Sequence, residues 1–269
     1  ADPANGCEYT CTYKDAVDGC DGIDDDCDGV IDEDAQDCAP SDTYIQEVAV
    51  SRHFTCARRQ DGTVWCWGDN AMACQDTPLG TLGAFEGEYS ATPIQMPLVS
   101  ALGSQAPTLD LDANGNMACA VVGDSAEATS GTIWCWGDDH PLNMNGSKLA
   151  LLGAGVLDGD GCSATPVQVN HWATTGEALT GFTRVAVGYE HACALHEDGT
   201  VWCWGGDADH AHLIGGGAAV TGVDPEYGWA PFQVRSEADG APFDQVVSLA
   251  AGARLTCAAR QDGTAWCWG

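Results

Sequence analysis

The chain has 269 residues, enough for one large domain or two smaller ones, and its 9 basic residues against 40 acidic ones give a formal net charge of -31. Because phosphate groups and anionic lipid surfaces are bound by clustered Lys and Arg, this balance argues against nucleic acid or an acidic membrane surface as a partner. No apolar run reaches the roughly 18 residues that would cross a bilayer, so we expect no membrane insertion.

Fifteen cysteines in one chain predict an oxidising compartment. The opening residues, "ADPANGC", do not form a signal peptide, and we interpret them as the start of a mature protein. The sequence therefore predicts an extracellular or bacterial cell-surface protein from which the signal peptide has already been removed.

Residues 1–40 form a distinct Asp/Cys-rich segment. They carry 13 acidic residues, a single Lys and five cysteines, with almost no large apolar side chains. Such a composition cannot build a hydrophobic core, so disulfides and a bound cation are expected to order it. We predict that this segment is one domain and that residues 41–269 form another.

The stretch "DGIDDDCDGVIDEDA" at 21–35 has the spacing of a calcium loop. Its carboxylates alternate as they do at positions one, three and five of such a loop, and Gly29 falls at position six, where the backbone turns sharply. Position twelve is Ala35 in place of the usual Glu, so Glu33 or Asp34 would have to substitute. The alternative is a solvated acidic tail. The predicted Ca2+ ligands are Asp24, Asp26, Asp28, Val30 through its carbonyl, Asp32 and Glu33.

Residues 7–38 also resemble the Asp-rich, Cys-containing metal-binding motif of bacterial surface proteins, and more distantly thrombospondin type three repeats. The resemblance implies a bound metal ion without flanking helices. Two local disulfides among the five cysteines of this segment would leave one cysteine over: Cys7, Cys11, Cys20, Cys27 and Cys38.

From residue 41 onward the sequence repeats. "CWG" ends at residues 68, 137, 205 and 269, each time after a strand-like run, and a second element recurs as "ATPIQM", "ATPVQV" and "APFQV". A regular period filled with short strands is typical of a propeller or solenoid. The predicted hairpin cores are 46–68, 109–137, 182–205 and 246–269.

Turn chemistry fixes the register of these hairpins. A three-residue loop, Gln60-Asp61-Gly62, places glycine where a left-handed conformation is needed, and Cys56 then lies opposite Cys66. Cysteines that face each other across two strands can form a disulfide, whereas structural zinc sites prefer cysteines two to four residues apart. The predicted pairs are Cys56–Cys66, Cys119–Cys135, Cys193–Cys203 and Cys257–Cys267, with Cys74–Cys162 as a further pair between loops.

"VAVGYEHACALHEDGTVWCWG" at 185–205 resembles the regulator-of-chromosome-condensation repeat, and the resemblance extends over about 44–269. It implies an all-β propeller, commonly of seven blades. Only His191 keeps the family's histidine, and the glycine-rich segment after Trp-Gly is degenerate. Four hairpins and three Pro-x-Gln elements indicate an incomplete propeller. A closed four-bladed ring and completion by a partner chain are the alternatives.

Two other patterns have competing interpretations. The tryptophans on either side of each second cysteine share one strand face, which favours packing between blades over a sugar-binding platform. In "DADHAH" at 207–212, His210 and His212 are a weak alternative metal site because no third ligand is visible.

No catalytic motif is present, so we do not predict an enzyme. The leading hypothesis is a secreted or cell-surface binding protein that presents propeller loops, such as 138–163 and 206–229, to an unidentified protein partner. The alternatives are a self-assembling subunit of an extracellular filament or matrix, a lectin-like propeller and an enzyme-inhibitor propeller.

Overall fold

A computed structural model describes residues 44–70, 82, 87–98, 107–125, 127–138, 151–154, 162–171, 176–205, 215, 223–224, 228–236 and 240–269. Apart from Tyr44, they belong to one compact unit, Ile45–Gly269. The predicted Asp/Cys-rich segment at 1–40 and its boundary lie outside the described residues. No helix among those residues is long and apolar enough to cross a lipid bilayer.

The described part of the chain is built from short antiparallel strands. They are β1 Ile45–Val50, β2 Phe54–Arg59, β3 Val64–Asp69, β4 Tyr89–Gln95, β5 Thr108–Asn114, β6 Met117–Gly123, β7 Gly131–Asp138, β8 Cys162–Gln168, β9 Phe182–Val187, β10 His191–His196, β11 Val201–Gly205, β12 Val223–Asp224, β13 Gly228–Trp229, β14 Phe232–Gln233, β15 Val246–Ala251, β16 Thr256–Arg260 and β17 Ala265–Trp268.

These strands form four blades. Blade I is β1-β2-β3-β4, blade II is β5-β6-β7-β8, blade III is β9-β10-β11-β14, and blade IV has the three strands β15-β16-β17. Blades II and III are joined in one sheet by a single bridge between Gly131 and Phe182. The pair β12-β13 lies in the connection between β11 and β14.

The hairpins adopt the predicted register. The Arg59 N–H donates to the Thr63 carbonyl at 2.9 Å, Gly62 has a φ of +78°, and Cys56 lies opposite Cys66. The same pairing occurs in the other three blades, where the Cα atoms of the paired cysteines are 4.0 to 4.1 Å apart and the sulfurs are bonded: Cys119–Cys135, Cys193–Cys203 and Cys257–Cys267.

Each blade has two faces that pack on different neighbours. We call the face that carries the paired cysteines the cysteine face. The opposite face, the alanine face, carries one equivalent alanine in each blade: Ala57, Ala120, Ala194 and Ala258. The cysteine face of blade I packs on the alanine face of blade II, and the same arrangement follows between blades II and III and between blades III and IV.

The fold class predicted from the sequence is therefore confirmed. The repeats are propeller blades of antiparallel strands, their hairpins are stapled by disulfides, and each blade buries an apolar face on the next.

Candidate functional site

The antiparallel blades place two kinds of connection at one edge of the fold. The short turns between the first and second strands lie there (51–53, 115–116, 188–190 and 252–255), and the long connections between the third and fourth strands begin and end there (70–88, 139–161 and 206–231). We call this the loop edge. The tight hairpins between the second and third strands lie at the opposite hairpin edge, at residues 60–63, 124–130, 197–200 and 261–264.

Asn70 holds the long connection of blade I in place. Its side chain is buried, its Nδ2 donates to the Gly87 carbonyl at 2.9 Å, and its Oδ1 accepts from the Leu82 N–H at 2.9 Å. Its own backbone N–H donates to the Glu88 carbonyl at 2.7 Å. One side chain therefore links both ends of the connection to its middle.

Tryptophans of the following blade anchor the long connections of blades II and III. The Trp204 Nε1 donates to the Leu151 carbonyl at 2.9 Å, and a Cβ on Gly153 would lie 2.9 Å from the same indole ring. In the next connection a Cβ on Gly215 would lie 3.2 Å from the Trp268 Nε1. A side chain at either glycine would displace the ring, so these glycines are needed for close approach.

The sequence analysis did not predict that the long connections are held by buried residues, although a short motif recurs where they are held. "TLGA" at 81–84, "LLGAG" at 151–155 and "LIGGG" at 213–217 recur once in each long connection. Leu82 and Leu152 are fully buried, in the same clusters as Trp136 and Trp204 respectively. The segment after Trp-Gly, described above as degenerate, thus packs against the tryptophans of the following blade.

The described surface of the loop edge combines aromatic and charged side chains. Tyr89 is 73% exposed at the start of β4, and Tyr189 is 40% exposed in the β9–β10 turn. Arg254 donates from Nη2 to the Glu190 Oε1 at 3.0 Å across blades III and IV, and Leu255 beside it is exposed. Tyr and Arg are enriched at protein–protein interfaces.

A polar pair is buried between blades III and IV close to this edge. The His191 Nε2 and the Thr256 Oγ1 are 2.6 Å apart, and neither side chain is exposed to solvent. The His191 Nδ1 is also buried, and no described atom is within hydrogen-bonding reach of it. Because a second ring proton would be buried without an acceptor, burial lowers the pKa of His191 to about 4.

Two carboxylates join the first strands of blades II and III. The Asp110 Oδ2 accepts from the Val185 N–H, and the Asp112 Oδ2 accepts from the Val187 N–H, both at 2.7 Å. Burial raises the pKa of Asp110 to about 6, even though the Val185 N–H favours the ionised form. Burial also raises the pKa of Asp112.

The remaining site predictions fall largely outside the described residues. This holds for the six calcium-loop residues, for Cys74 and for His210 and His212, while only the backbone of Cys162 is described, at the start of β8. Within the described ranges no group of three or more His, Cys, Asp or Glu could hold a metal ion. The Ca2+ site and the Cys74–Cys162 pair stay predictions.

The second tryptophans of blades II, III and IV pack between blades as predicted, whereas Trp65 and Trp67 of blade I are half-buried and lie outside these clusters. Trp136 and Trp204 are completely buried on alanine faces, against the cysteine face of the preceding blade, and Trp268 packs in the cluster between blades III and IV. Trp266, which is 53% exposed, lies edge-on to Phe243 at 6.1 Å between ring centroids. The buried rings cannot form a sugar-binding platform.

Comparison with known families supports the assignment of the repeats. Residues 45–73 and 182–210 match the family model described as the regulator of chromosome condensation (RCC1) repeat. These segments contain the β1–β3 and β9–β11 hairpins. Two of the four hairpins are therefore similar to this repeat.

Solved propellers share the fold at low sequence identity. Yeast RCC1 (Prp20), in its complex with Kap60, is 23% identical with a TM-score of 0.57, and the match covers 84% of this chain and 43% of that one. Human WBSCR16 is 17% identical with a TM-score of 0.59, and the match covers 85% of this chain and 48% of that one. The chain thus spans less than half the length of these structures.

Proposed function

We propose that this protein is a binding protein whose loop edge contacts a protein partner. The observation that carries the proposal is the arrangement of the long connections, which all begin and end at one edge and are tethered by buried anchors such as Asn70 and Leu152. Loops fixed on a rigid scaffold are a common form of recognition surface, because little conformational entropy is lost when they bind.

Fold similarity and charge support the proposal. Yeast RCC1 (Prp20) is seen bound to Kap60, and Prp20p has binding properties towards Gsp1p and histones. The net charge of -31 on the present chain favours a partner with a basic surface, since complementary charge accelerates encounter and selects against wrong partners.

A pair of photo-crosslinking variants of blade III tests this function. One carries benzoylphenylalanine at Tyr189 on the loop edge, and the matched control carries it at Glu197, which is exposed on the hairpin edge. We expect discrete adducts with one extracellular protein from position 189 and none from position 197. Adducts of the same proteins from both positions would contradict the proposal.

Self-assembly is a second candidate function, favoured by two exposed valines on the alanine face of blade I. Val48 and Val50 are 55% and 67% exposed, whereas the equivalent Leu111 and Ala113 of blade II are buried. Light scattering after size exclusion tests it. A mass that rises with concentration in the native chain, but not in the Val48→Asp variant, would support assembly, and a constant monomer mass would exclude it.

We further propose that Ca2+ orders the Asp/Cys-rich segment of an extracellular protein. The support is the loop pattern at 24–33 and the disulfides of the blades, which require an oxidising compartment. Calorimetric titration with Ca2+ should show one site that is lost in Asp24→Asn/Asp28→Asn. The Asp124→Asn variant is the control, because that residue lies in a hairpin loop. No heat of binding in the native chain would refute the site.

A further inference from the structure

The turn between the first and second strands of blade II contains the sequence Asn114-Gly115. Strand β5 ends at Asn114, which pairs with Met117 at the start of β6, so the loop itself consists of Gly115 and Asn116. Gly115 has a φ of +56°, whereas the φ of Asn116 is not positive. A two-residue loop with a left-handed glycine at its first position is a type II′ turn.

The backbone N–H of Gly115 faces the side chain of the residue before it. It donates to the Asn114 Oδ1 at 2.8 Å. In the equivalent turn of blade III the corresponding N–H, that of Tyr189, donates instead to the Ala253 carbonyl of blade IV at 3.0 Å. Because the amide carbon Cγ is only one C=O bond, about 1.2 Å, from Oδ1, the Gly115 nitrogen lies next to a carbon that it can attack.

The other three described sequences in which Asn or Asp precedes glycine lack this contact. In each of them the Asp Oδ1 accepts from the N–H and the hydroxyl of the threonine that follows glycine, and the glycine N–H donates to a backbone carbonyl at 2.9 to 3.0 Å. The sequences are Asp61-Gly62, Asp198-Gly199 and Asp262-Gly263, and the carbonyls belong to Arg59, His196 and Arg260. Of the four sequences, only Asn114-Gly115 brings the glycine nitrogen against the preceding side chain.

The surroundings of Asn114 allow a reaction at its side-chain amide. Asn114 is half-buried, so water can reach the amide and ammonia can leave. Gly115 has no side chain to hinder its nitrogen, and the Tyr189 ring packs on it, since a Cβ at Gly115 would lie 3.0 Å from the Tyr189 Cδ2. This contact keeps the turn in place, and a nucleophile held beside its target reacts faster than a free one.

We propose that Asn114 is a modification site at which the loop edge deamidates without an enzyme. The Gly115 nitrogen loses its proton to water and forms a bond to the Asn114 Cγ, while the bond from Cγ to Nδ2 breaks and Nδ2 takes up a proton and leaves as ammonia. Water then opens the cyclic imide. Cleavage between the nitrogen and Cγ gives aspartate, and cleavage between the nitrogen and the main-chain carbonyl carbon gives isoaspartate. One water is consumed, one ammonia is released, and no oxidant or reductant takes part.

The reaction changes the surface beside Tyr189. Both products carry a negative charge in place of a neutral amide. Isoaspartate also adds one methylene to the main chain between positions 114 and 115, which displaces Gly115 from the Tyr189 ring that packs on it. The modification follows from the geometry of the turn alone and does not depend on the function proposed for the loop edge.

The rate of conversion at Asn114 tests the proposal. The folded 269-residue chain and the free peptide LDANGNMA, which has the sequence of residues 111–118, are incubated at pH 8 and mapped by mass spectrometry. Asn114 should be converted in the folded chain at least as fast as in the peptide. Asn116 in the same turn is the internal control, and it should be converted about tenfold more slowly because no glycine follows it.

Enzymatic methylation of isoaspartate identifies the product. Native chain aged at pH 8 should accept a methyl group at position 114, whereas the Asn114→Asp variant, whose ionised carboxylate is a poor target for the Gly115 nitrogen, should accept far less. Slower conversion of Asn114 in the folded chain than in the peptide would overturn the proposal. Equal conversion of Asn114 and Asn116, or equal methylation of the native chain and the variant, would also overturn it.

Discussion

His191 occupies a position at which the other three blades carry an apolar side chain: Phe54, Met117 and Leu255. The Thr256 hydroxyl that faces it likewise stands where blade III has Ala192. The interface between blades III and IV thus contains a polar pair where the interface between blades II and III contains Met and Ala. A buried polar pair specifies one arrangement of its neighbours, but it makes that arrangement sensitive to protonation.

Lowering the pH should weaken this interface through His191. The pKa in the folded state is about 4 against an ordinary value of 6.5, so His191 contributes its full stability above pH 6.5 and loses it as the pH falls towards 4. The total loss is about 3 kcal/mol. The free energy of unfolding in urea should therefore fall less between pH 7 and pH 4.5 in the His191→Met/Thr256→Ala variant than in the native chain. The same dependence on pH in both proteins would contradict this role of His191.

Lowering the pH should strengthen the fold through Asp110, which is the opposite of the effect of His191. Its pKa of about 6 lies above the ordinary 3.8, so its ionised form destabilises the fold at neutral pH, and stability returns as the pH falls through 6. Asp110→Asn keeps an oxygen that can accept from the Val185 N–H but removes the charge. Urea unfolding of this variant should therefore show a steeper loss of stability between pH 7 and 4.5 than the native chain, because the His191 contribution is no longer offset.

At the scale of the element, the hairpin loop is stabilised by a local network that recurs. The Asp61 Oδ1 accepts from the N–H and the hydroxyl of Thr63, and the Trp65 Nε1 donates to the same hydroxyl. The network recurs at the loop of blade IV, where the Thr264 hydroxyl and N–H hold the pKa of Asp262 below its usual range. The sequence Asp-Gly-Thr therefore stabilises the turn, and the threonine hydroxyl orients the indole ring of the tryptophan that follows.

Two glycines of equivalent hairpins should respond differently to alanine. Gly62 and Gly263 have φ values of +78° and +83°, so each substitution carries the strain of a left-handed residue, about 1 kcal/mol. A Cβ on Gly62 would also lie 2.4 Å from the Pro107 Cα of blade II, whereas nothing lies within 4 Å of one on Gly263. We expect Gly62→Ala to lower the free energy of unfolding by about 3 kcal/mol and Gly263→Ala by about 1 kcal/mol. Equal losses of unfolding free energy in the two variants would show that the contact of Gly62 with Pro107 has no effect on stability.

The four described disulfides should not be reduced together. A thiolate must reach a sulfur atom, and the cysteines of blades I to III are completely buried while Cys267 is exposed. Brief reduction followed by alkylation and mass spectrometry should label Cys257 and Cys267 first. Early labelling of Cys119 or Cys135 would show that the blades open more readily than their packing indicates.

Sequence reasoning succeeded where the determinants were local. The glycine of the turn and the ten-residue spacing of Cys56 and Cys66 fix the hairpin register without any knowledge of the rest of the chain. The pairing of His191 with Thr256 spans 65 residues, and that of Asp110 with Val185 spans 75. Contacts of this length depend on how blades are arranged in space, which a repeat pattern does not encode residue by residue.

At the scale of the whole described unit, stability should be greatest in the central blades. Every residue of β6 is buried, and so is nearly every residue of β10, because these strands have a blade on each side, whereas β1 and β17 are largely exposed. Units that contact only their neighbours exchange from the ends inward. Hydrogen exchange should be slowest in fragments with β6 and β10 and fastest in those with β17. Uniform protection would indicate one cooperative unit.

Each described disulfide closes a loop within a single hairpin, and none joins one blade to another. Under a pulling force along the chain, blades III and IV can therefore separate while each stays intact, because no described disulfide joins them. Inside each blade, however, the loop between the two cysteines, which are 10 positions apart in blades I, III and IV, cannot be drawn out. Every such blade would extend about 30 Å less than its chain length allows, so an oxidised chain would be a shorter and stiffer tether than a reduced one.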